Sequence, residues 1–356
     1  MVPAEPGTIP IADALNALND EPGPPPDEWI RRLGTLPLVY QPGERWMYHT
    51  AANVTGVLIA RATSMSFGDA LRERICEPLG LKDTGFGVAG ENISRLATAY
   101  QLDDATGEIV VEDGPDGYWS RPPAFEDGGG GLVSTASDYL AFASALLAGG
   151  TRHGERVLSR PSVTLMTSDH LTPAQKAVSG FSPGYFDDIG WGFGMSVRTQ
   201  RTHLGPWPVS YPPPASVGSY GWPGIYGTGW YNDPAEDMTT ILMIQRAPAP
   251  PGLPILFDFW TAACHRRLTS GAGDGRVRRR CPPARPRAAT PQLGRDRHSG
   301  RNGHTAPARM RNGGCRDGGE ARPKHPLEGI PASGAVVYQP TARQCCRPGW
   351  PRRASR

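Results

Sequence analysis

A tyrosine at the mouth of a helical pattern is the first residue of this chain placed to do chemistry. In "PGERWMYHTAANVTGVLIARATSMSF", residues 42–67, Tyr48 stands where a helix begins. A phenol both donates and accepts a hydrogen bond, and it moves protons when a nearby cation lowers its pKa from about 10. Without such a cation, a tyrosine there is an ordinary packing residue. A serine for it to serve is harder to find. "GFSPG", residues 180–184, matches G-x-S-x-G around Ser182, a motif that presents serine on a strand-to-helix turn and uses the next residue's N–H in an oxyanion hole. Pro183 has no N–H, and neither a strand nor a helix is predicted beside it, so Ser182 is set aside. The glycines at 128–131 lack the preceding strand and the lysine of a phosphate cradle and read as a mobile loop. The eight histidines make no metal-binding pair at helical spacing, and neither a metal nor a cofactor is expected.

The elements that must position Tyr48 are legible as helices followed by strands. Thr50 is expected to cap a helix with an apolar face of Val54, Val57, Leu58 and Ala62, and Ser66 with Asp69 forms a capping box for the next helix, which "EPLGLKDTGF" breaks. A third helix starts at Thr135/Asp138 and ends at Gly149 and Gly150, and a fourth follows in "SRPSVTLMTSDH". Between 190 and 246, "GWGFGMSV", "YGTGWYN" and "MTTILMIQ" read as strands, the last two joined through the turn "DPAED" and therefore antiparallel. A terminal helix, "PILFDFWTAACHRRL", closes the body. The expected class is α+β, an antiparallel sheet flanked by helices.

Composition divides the chain. Residues 266–356 hold twenty-one Lys/Arg against five Asp/Glu, so the +3 total hides a tail of +16 on an acidic body of −13. The expected domains are 1–268, folded, and 269–356, a tail rich in Arg, Pro and Gly that cannot bury enough apolar surface to offset ordering entropy and reads as disordered. Its residue types are those of GC-rich codons read out of frame, and that reading is taken over a nucleic-acid-binding arm because no aromatic interleaving accompanies the charge. Cys76 and Cys264 are the body's cysteines and suggest no disulfide framework. No stretch is long enough to span a bilayer and no leader pattern opens the sequence as given, so a membrane is not an expected partner and the expected location is the cytoplasm.

Three blocks in order, residues 41–86, "GGGGLVSTASDYLAFASALLAGG" and "YGTGWYNDPAEDMTTILMIQ", resemble the serine β-lactamase family, nearest its class C-like and esterase-like, penicillin-binding-protein-type hydrolases. The similarity spans about residues 10–268. The resemblance implies a β-lactamase/transpeptidase-like fold and an acyl-enzyme chemistry with three parts: a serine in S-x-x-K, a Y-x-N tyrosine that moves protons, and a K-T-G-like strand edge lining the channel. By position, Tyr48 falls on the tyrosine, Thr50 replaces the asparagine, and Trp222-Pro223-Gly224 replaces the strand-edge triplet. An indole there offers one neutral N–H where lysine offers a cation, which disfavours carboxylate-bearing substrates and favours a neutral ester.

The nucleophile motif is missing. The three lysines, Lys82, Lys176 and Lys324, have Leu79, Pro173 and Ala321 three positions before them. The sequence therefore reads as an N-terminally truncated hydrolase without the outer strands and nucleophile helix, inactive as given. Intact relatives would cleave a small-molecule ester or amide. The alternatives are a non-catalytic scaffold that binds a ligand or partner in the same cleft, and nucleic-acid contact through the tail. The candidate site residues are Tyr48 as the catalytic group, with Thr50, Trp222 and Gly224 lining the substrate.

Overall fold

Glycine and asparagine, together with Val54 and Val57, decide how the helix behind Tyr48 packs. The computed structural model describes residues 23–88, 90–103, 105–181, 183–200, 215–247 and 258–263, together with residues 14, 18 and 255 and the strand 335–338. All fall in one compact unit, Met1–Cys281 with Ser333–Arg356. Helix α1, Pro26–Leu33, buries Trp29 against Val57 of α2, Thr50–Thr63. The buried residues of α2 are Asn53, Gly56 and Val57, while Leu58 is 63% exposed, so the apolar stripe expected through Leu58 and Ala62 is corrected. The reason is the loop at 127–129. Asn53 Nδ2 donates to Asp127 Oδ1 at 2.6 Å, and a Cβ on Gly56 would press on Gly128 while one on Gly128 would overlap the Ala52 carbonyl oxygen. On that side close backbone approach and a satisfied buried amide stand beside the apolar contact that Val54 and Val57 make with Trp29. The glycine loop read as mobile is packed on the helix.

The capping expectations divide. Ser66 Oγ accepts from Asp69 N and starts α3, Phe67–Leu71, which continues through a π turn at Arg72–Cys76 to Leu79 and ends at left-handed Gly80. Thr135 Oγ1 accepts from Asp138 N at the start of α4, Ala136–Leu147. Asp138 does not return a bond to the cap. Its carboxylate accepts from Asp83 N and Thr84 Oγ1 and ties α4 to the chain after α3. Thr50 is not a cap but the first helical residue; His49 holds the cap position without a side-chain bond, its Nδ1 buried against Gly129. Helix α5, Arg160–Met166, is capped by Ser159. A sixth helix, α6, Pro173–Ala177, carries a full capping box between Thr172 and Gln175.

The small strands β1, Ala99–Leu102, and β2, Ile109–Asp113, form a hairpin, and β3, Thr151–Arg152, pairs with β4, Glu155–Arg156. The main sheet contains β5, Ile189–Trp191; β6, Ser196–Arg198; β7, Tyr220–Pro223; β8, Gly229–Asp233; and β9, Met238–Leu242. After β9, β10, Arg246–Ala247, leaves to run parallel to β1, and β11, Ala335–Tyr338, joins the edge. The order β11-β9-β8-β7-β6-β5 is antiparallel throughout. Thus "GWGFGMSV" is two strands with a turn through Gly194, not one. Outside 335–338, the tail expected to be disordered lies beyond the described residues.

Alternate side chains of the sheet enter two cores. Trp230 and Ile241 meet Ala143 and Leu146 of α4, while Tyr231 and Leu242 meet Trp260 of the helical residues 258–263. At the α4 face Asn232 is fully buried. Its Nδ2 donates to the Ala143 carbonyl at 2.8 Å and to Tyr220 OH at 3.1 Å, and its Oδ1 accepts from Thr239 Oγ1 at 2.7 Å. One amide therefore joins α4 to β7, β8 and β9. Replacing Asn232 by Ala strands those three partners in a dry interior, and we expect a loss of about 3 kcal/mol, read as a lower urea midpoint. An unchanged midpoint would show that the network carries no net stability.

Candidate functional site

The segment bearing Tyr48 is held by a part of the chain more than a hundred residues away. Gln175 Nε2 donates to the Gly43 carbonyl at 2.7 Å, Arg45 NH1 to the Val178 carbonyl at 3.2 Å, and Trp46 N to Ser179 Oγ at 3.0 Å. These bonds dock residues 43–46 along α6 and its exit. Trp46 is buried beside Phe186 and Ile189, and its ring lies within 5.0–6.3 Å of Tyr48, Phe181, Tyr185, Phe186 and Trp191. Beneath this cluster Lys176 Nζ pairs with Asp169 at 2.6 Å and donates to the Ile189 carbonyl. Burial opposes ionisation of Asp169, but Lys176 and the N–H groups of Leu171 and Trp191 outweigh it and hold the carboxyl below its ordinary value. Lys176 is thereby committed to Asp169.

Tyr48 and Trp222 are in contact although 174 positions apart. Trp222 Nε1 donates to Tyr48 OH at 2.9 Å, and the ring centroids are 5.7 Å apart. Trp222 also meets Trp191 edge-on at 4.6 Å, and 38%-exposed Phe181 lies over both Tyr48 and Trp222. Strand pairing sets this position: Tyr220 faces Asn232 and Trp222 faces Trp230. Gly224 lies in the turn after β7, where its N–H donates to the Thr228 carbonyl at 2.8 Å and a Cβ would overlap Thr228 Oγ1. Thr50, half-buried, opens α2 two residues after Tyr48. Ser182 lies outside the described residues.

The contact fixes what the phenol can do. Its oxygen accepts from the indole, so its own hydrogen is directed elsewhere. Burial pushes its pKa above the usual phenol value; the indole N–H acts the other way, and the Asp127 carboxylate adds to the rise. At neutral pH Tyr48 is therefore a neutral donor rather than a base. Trp46, Phe181, Tyr185, Phe186 and Trp191 surround the pair without having been predicted from sequence; the signal available was the aromatic density of 181–193.

With this geometry in hand, comparison with known proteins is decisive for family. The Beta-lactamase family model matches residues 6–265, and the chain belongs to that family. Protein Rv1367c of Mycobacterium tuberculosis is 40% identical over 229 residues, 64% of this chain and 55% of that protein. Esterase EstB of Burkholderia gladioli is 28% identical over 237 residues, 62% and 55% of the two chains. The chain spans about half the length of these curated relatives. Simvastatin Synthase (LovD) from Aspergillus terreus, unliganded, superposes with a TM-score of 0.52 at 22% identity, covering 68% of this chain and 58% of that one. That likeness speaks for the β-lactamase/transpeptidase-like α+β fold. Among the described residues no helix is long and apolar enough to cross a membrane.

Replacing Trp222 by Phe keeps a ring but removes the N–H that opposes the rise, so Tyr48 is expected to titrate at still higher pH. Because its folded pKa already exceeds the unfolded one, the associated stability is complete below the unfolded value of about 10 and is lost as pH rises through the folded value. Ring-labelled tyrosine NMR, assigned with Tyr48→Phe, reads this directly. A downward shift in the variant would contradict the assigned sense of the hydrogen bond.

Proposed function

We infer that this chain forms the substrate-facing part of a β-lactamase-related acyl hydrolase that favours neutral esters. The observation that carries the reading is the Trp222–Tyr48 hydrogen bond within an aromatic wall. At the position where the resemblance implies a strand-edge lysine, an indole holds the phenol, so the site has a neutral donor to offer a carbonyl or alkoxide and no cation there to hold a carboxylate. The similarity to Esterase EstB supports an ester over an amide.

In ester hydrolysis through an acyl-enzyme, a serine hydroxyl passes its proton to a base as its oxygen attacks the carbonyl carbon, the ester C–O bond breaks and the leaving alkoxide takes a proton; water then splits the acyl–serine bond, giving the acid and returning a proton to the serine oxygen. Tyr48 is suited to deliver the leaving-group proton and to be reprotonated when water attacks. Thr50 and Gly224 are assigned to the lining. The serine step has no S-x-x-K in this sequence, and the chain as given is proposed to bind ester without turning it over. A non-catalytic binding scaffold is the second reading, favoured by one observation: among the described residues Tyr48 OH has the indole as its partner and no serine hydroxyl.

With p-nitrophenyl butyrate we expect tryptophan quenching on binding but no nitrophenol burst, and no adduct with a serine-directed phosphonate. Supplying an upstream segment bearing S-x-x-K should produce hydrolysis, which Tyr48→Phe then lowers by about a hundredfold, the scale of a lost general acid–base group. A stoichiometric adduct on any serine of the unextended chain, located by mass spectrometry, contradicts the proposal. Failure of the extended chain to hydrolyse while still binding selects the scaffold.

A further inference from the structure

Asp169 and Lys176 lie outside the Tyr48–Trp222 contact, yet they join the two parts of the chain that carry it. Strand β5 ends the main sheet and is three residues long, and so short a strand opens locally at little cost unless something beyond the sheet holds it. Residues 169–176 do so. Asp169 Oδ1 accepts from Trp191 N at 3.1 Å and from Leu171 N at 3.0 Å, the Trp191 carbonyl accepts from His170 N at 3.0 Å, and Lys176 Nζ donates to the Ile189 carbonyl at 3.1 Å. Between those two strand positions a Cβ on Gly190 would overlap the Asp169 carboxylate, so the missing side chain is what admits the acid to the backbone. Trp191, seated in this way, meets Trp222 edge-on at 4.6 Å and Trp46 at 5.0 Å.

Lys176 acts on the other part. It lies on α6, where Gln175 holds Gly43, and just past that helix the Val178 carbonyl and the Ser179 hydroxyl hold Arg45 and Trp46. The 2.6 Å ion pair between Lys176 and Asp169 therefore ties the support of Tyr48 to the support of Trp222. With 20% and 21% of their side-chain surfaces exposed, the two ions are shielded from salt better than a surface pair is. We propose that Asp169 is a positioning residue: paired with Lys176, it keeps the Trp222 indole within hydrogen-bond reach of the Tyr48 phenol. It acts through Trp191 and α6 and touches neither ring of the bond it governs. The proposal deepens the ester-hydrolase reading and rests on it for the task of Tyr48.

The test changes Asp169→Ala and Lys176→Met together. The two lost charges cancel, and Tyr48 keeps the Asp127 carboxylate and the His49 ring beside it. Loosening the indole weakens the influence that opposes the rise in the phenol's pKa. By ring-labelled tyrosine NMR, Tyr48 should then titrate at higher pH, by at least about half the shift that Trp222→Phe produces, and the Trp222 indole N–H should exchange with solvent at least about tenfold faster. In a Trp222→Phe background the same two changes should give no further rise, because the bond they act on is already gone. An ion pair that only stabilises the fold would lower the urea midpoint and leave the phenol's titration and the indole's exchange unmoved; that result overturns the proposal, and so does an equal rise in the Trp222→Phe background. If the double change unfolds the chain, Gly190→Ala decides, since it keeps every charge while its methyl displaces the carboxylate from Trp191 N: the same rise supports the proposal and an unmoved titration overturns it. Neither readout uses an ester, so a chain that proves not to bind esters can still pass, and one that binds them can still fail.

Discussion

The amide of Asn232 is the point through which the rest of the molecule is referenced. Fully buried, it is satisfied within the protein when the Ala143 carbonyl of α4, the Tyr220 hydroxyl of β7 and the Thr239 hydroxyl of β9 all converge on it. A hydrophobic core alone tolerates a slip between strands better than this amide does. A slip of one residue would turn every side chain of β7 to the opposite face and leave the amide unpaired. Trp222 lies two residues beyond Tyr220 on that strand, on the same side of the pleat. The register enforced at Asn232 therefore delivers an indole N–H to the place where Tyr48 waits.

The opposite wall is organised by different physics. Behind Tyr48, helix α2 accepts a loop at backbone distance because Gly56, Gly128 and Gly129 leave no side chains between them, and Asn53 with Asp127 closes the contact by a short hydrogen bond. In front, aromatic rings exclude water from the phenol. The two effects act on one group. Desolvation and the Asp127 carboxylate keep Tyr48 protonated, and the indole decides which way its hydrogen can be offered. An ammonium at the Trp222 position would stabilise phenolate instead, whereas the indole leaves the phenol protonated at neutral pH.

Much of the architecture can be read from local signals. "YGTGWYN" and the apolar run "MTTILMIQ" on either side of "DPAED" specify β8 and β9, and Ser66 and Thr135 specify helix starts. The buried face of α2 is not legible, because its key positions are a polar residue and a glycine whose partner loop lies seventy-odd positions on. Helix α6 carries a readable cap in "TPAQ", yet five residues give too little periodicity to announce a helix. In the tail, Val336, Val337 and Tyr338 are good strand formers, but averaging over Arg, Gly and Pro conceals them. Of the site, Tyr48 and Trp222 are identified by resemblance, whereas the rings around them come from residue 46 and from between residues 181 and 191, and no spacing rule gathers those.

The bonds that fasten residues 43–46 to residues 175–179 have a consequence for how the molecule acquires its site. Helices α2 and α4 close through contacts a few residues apart, on a short timescale, whereas the staples from Gly43, Arg45 and Trp46 each span 132 or 133 positions. Contacts of such range close a large loop, whose entropy must be overcome before they reward the chain. The aromatic wall in front of Tyr48 therefore carries the larger entropic cost of closure. Helices and sheet already in place do not by themselves close the aromatic cluster around Tyr48.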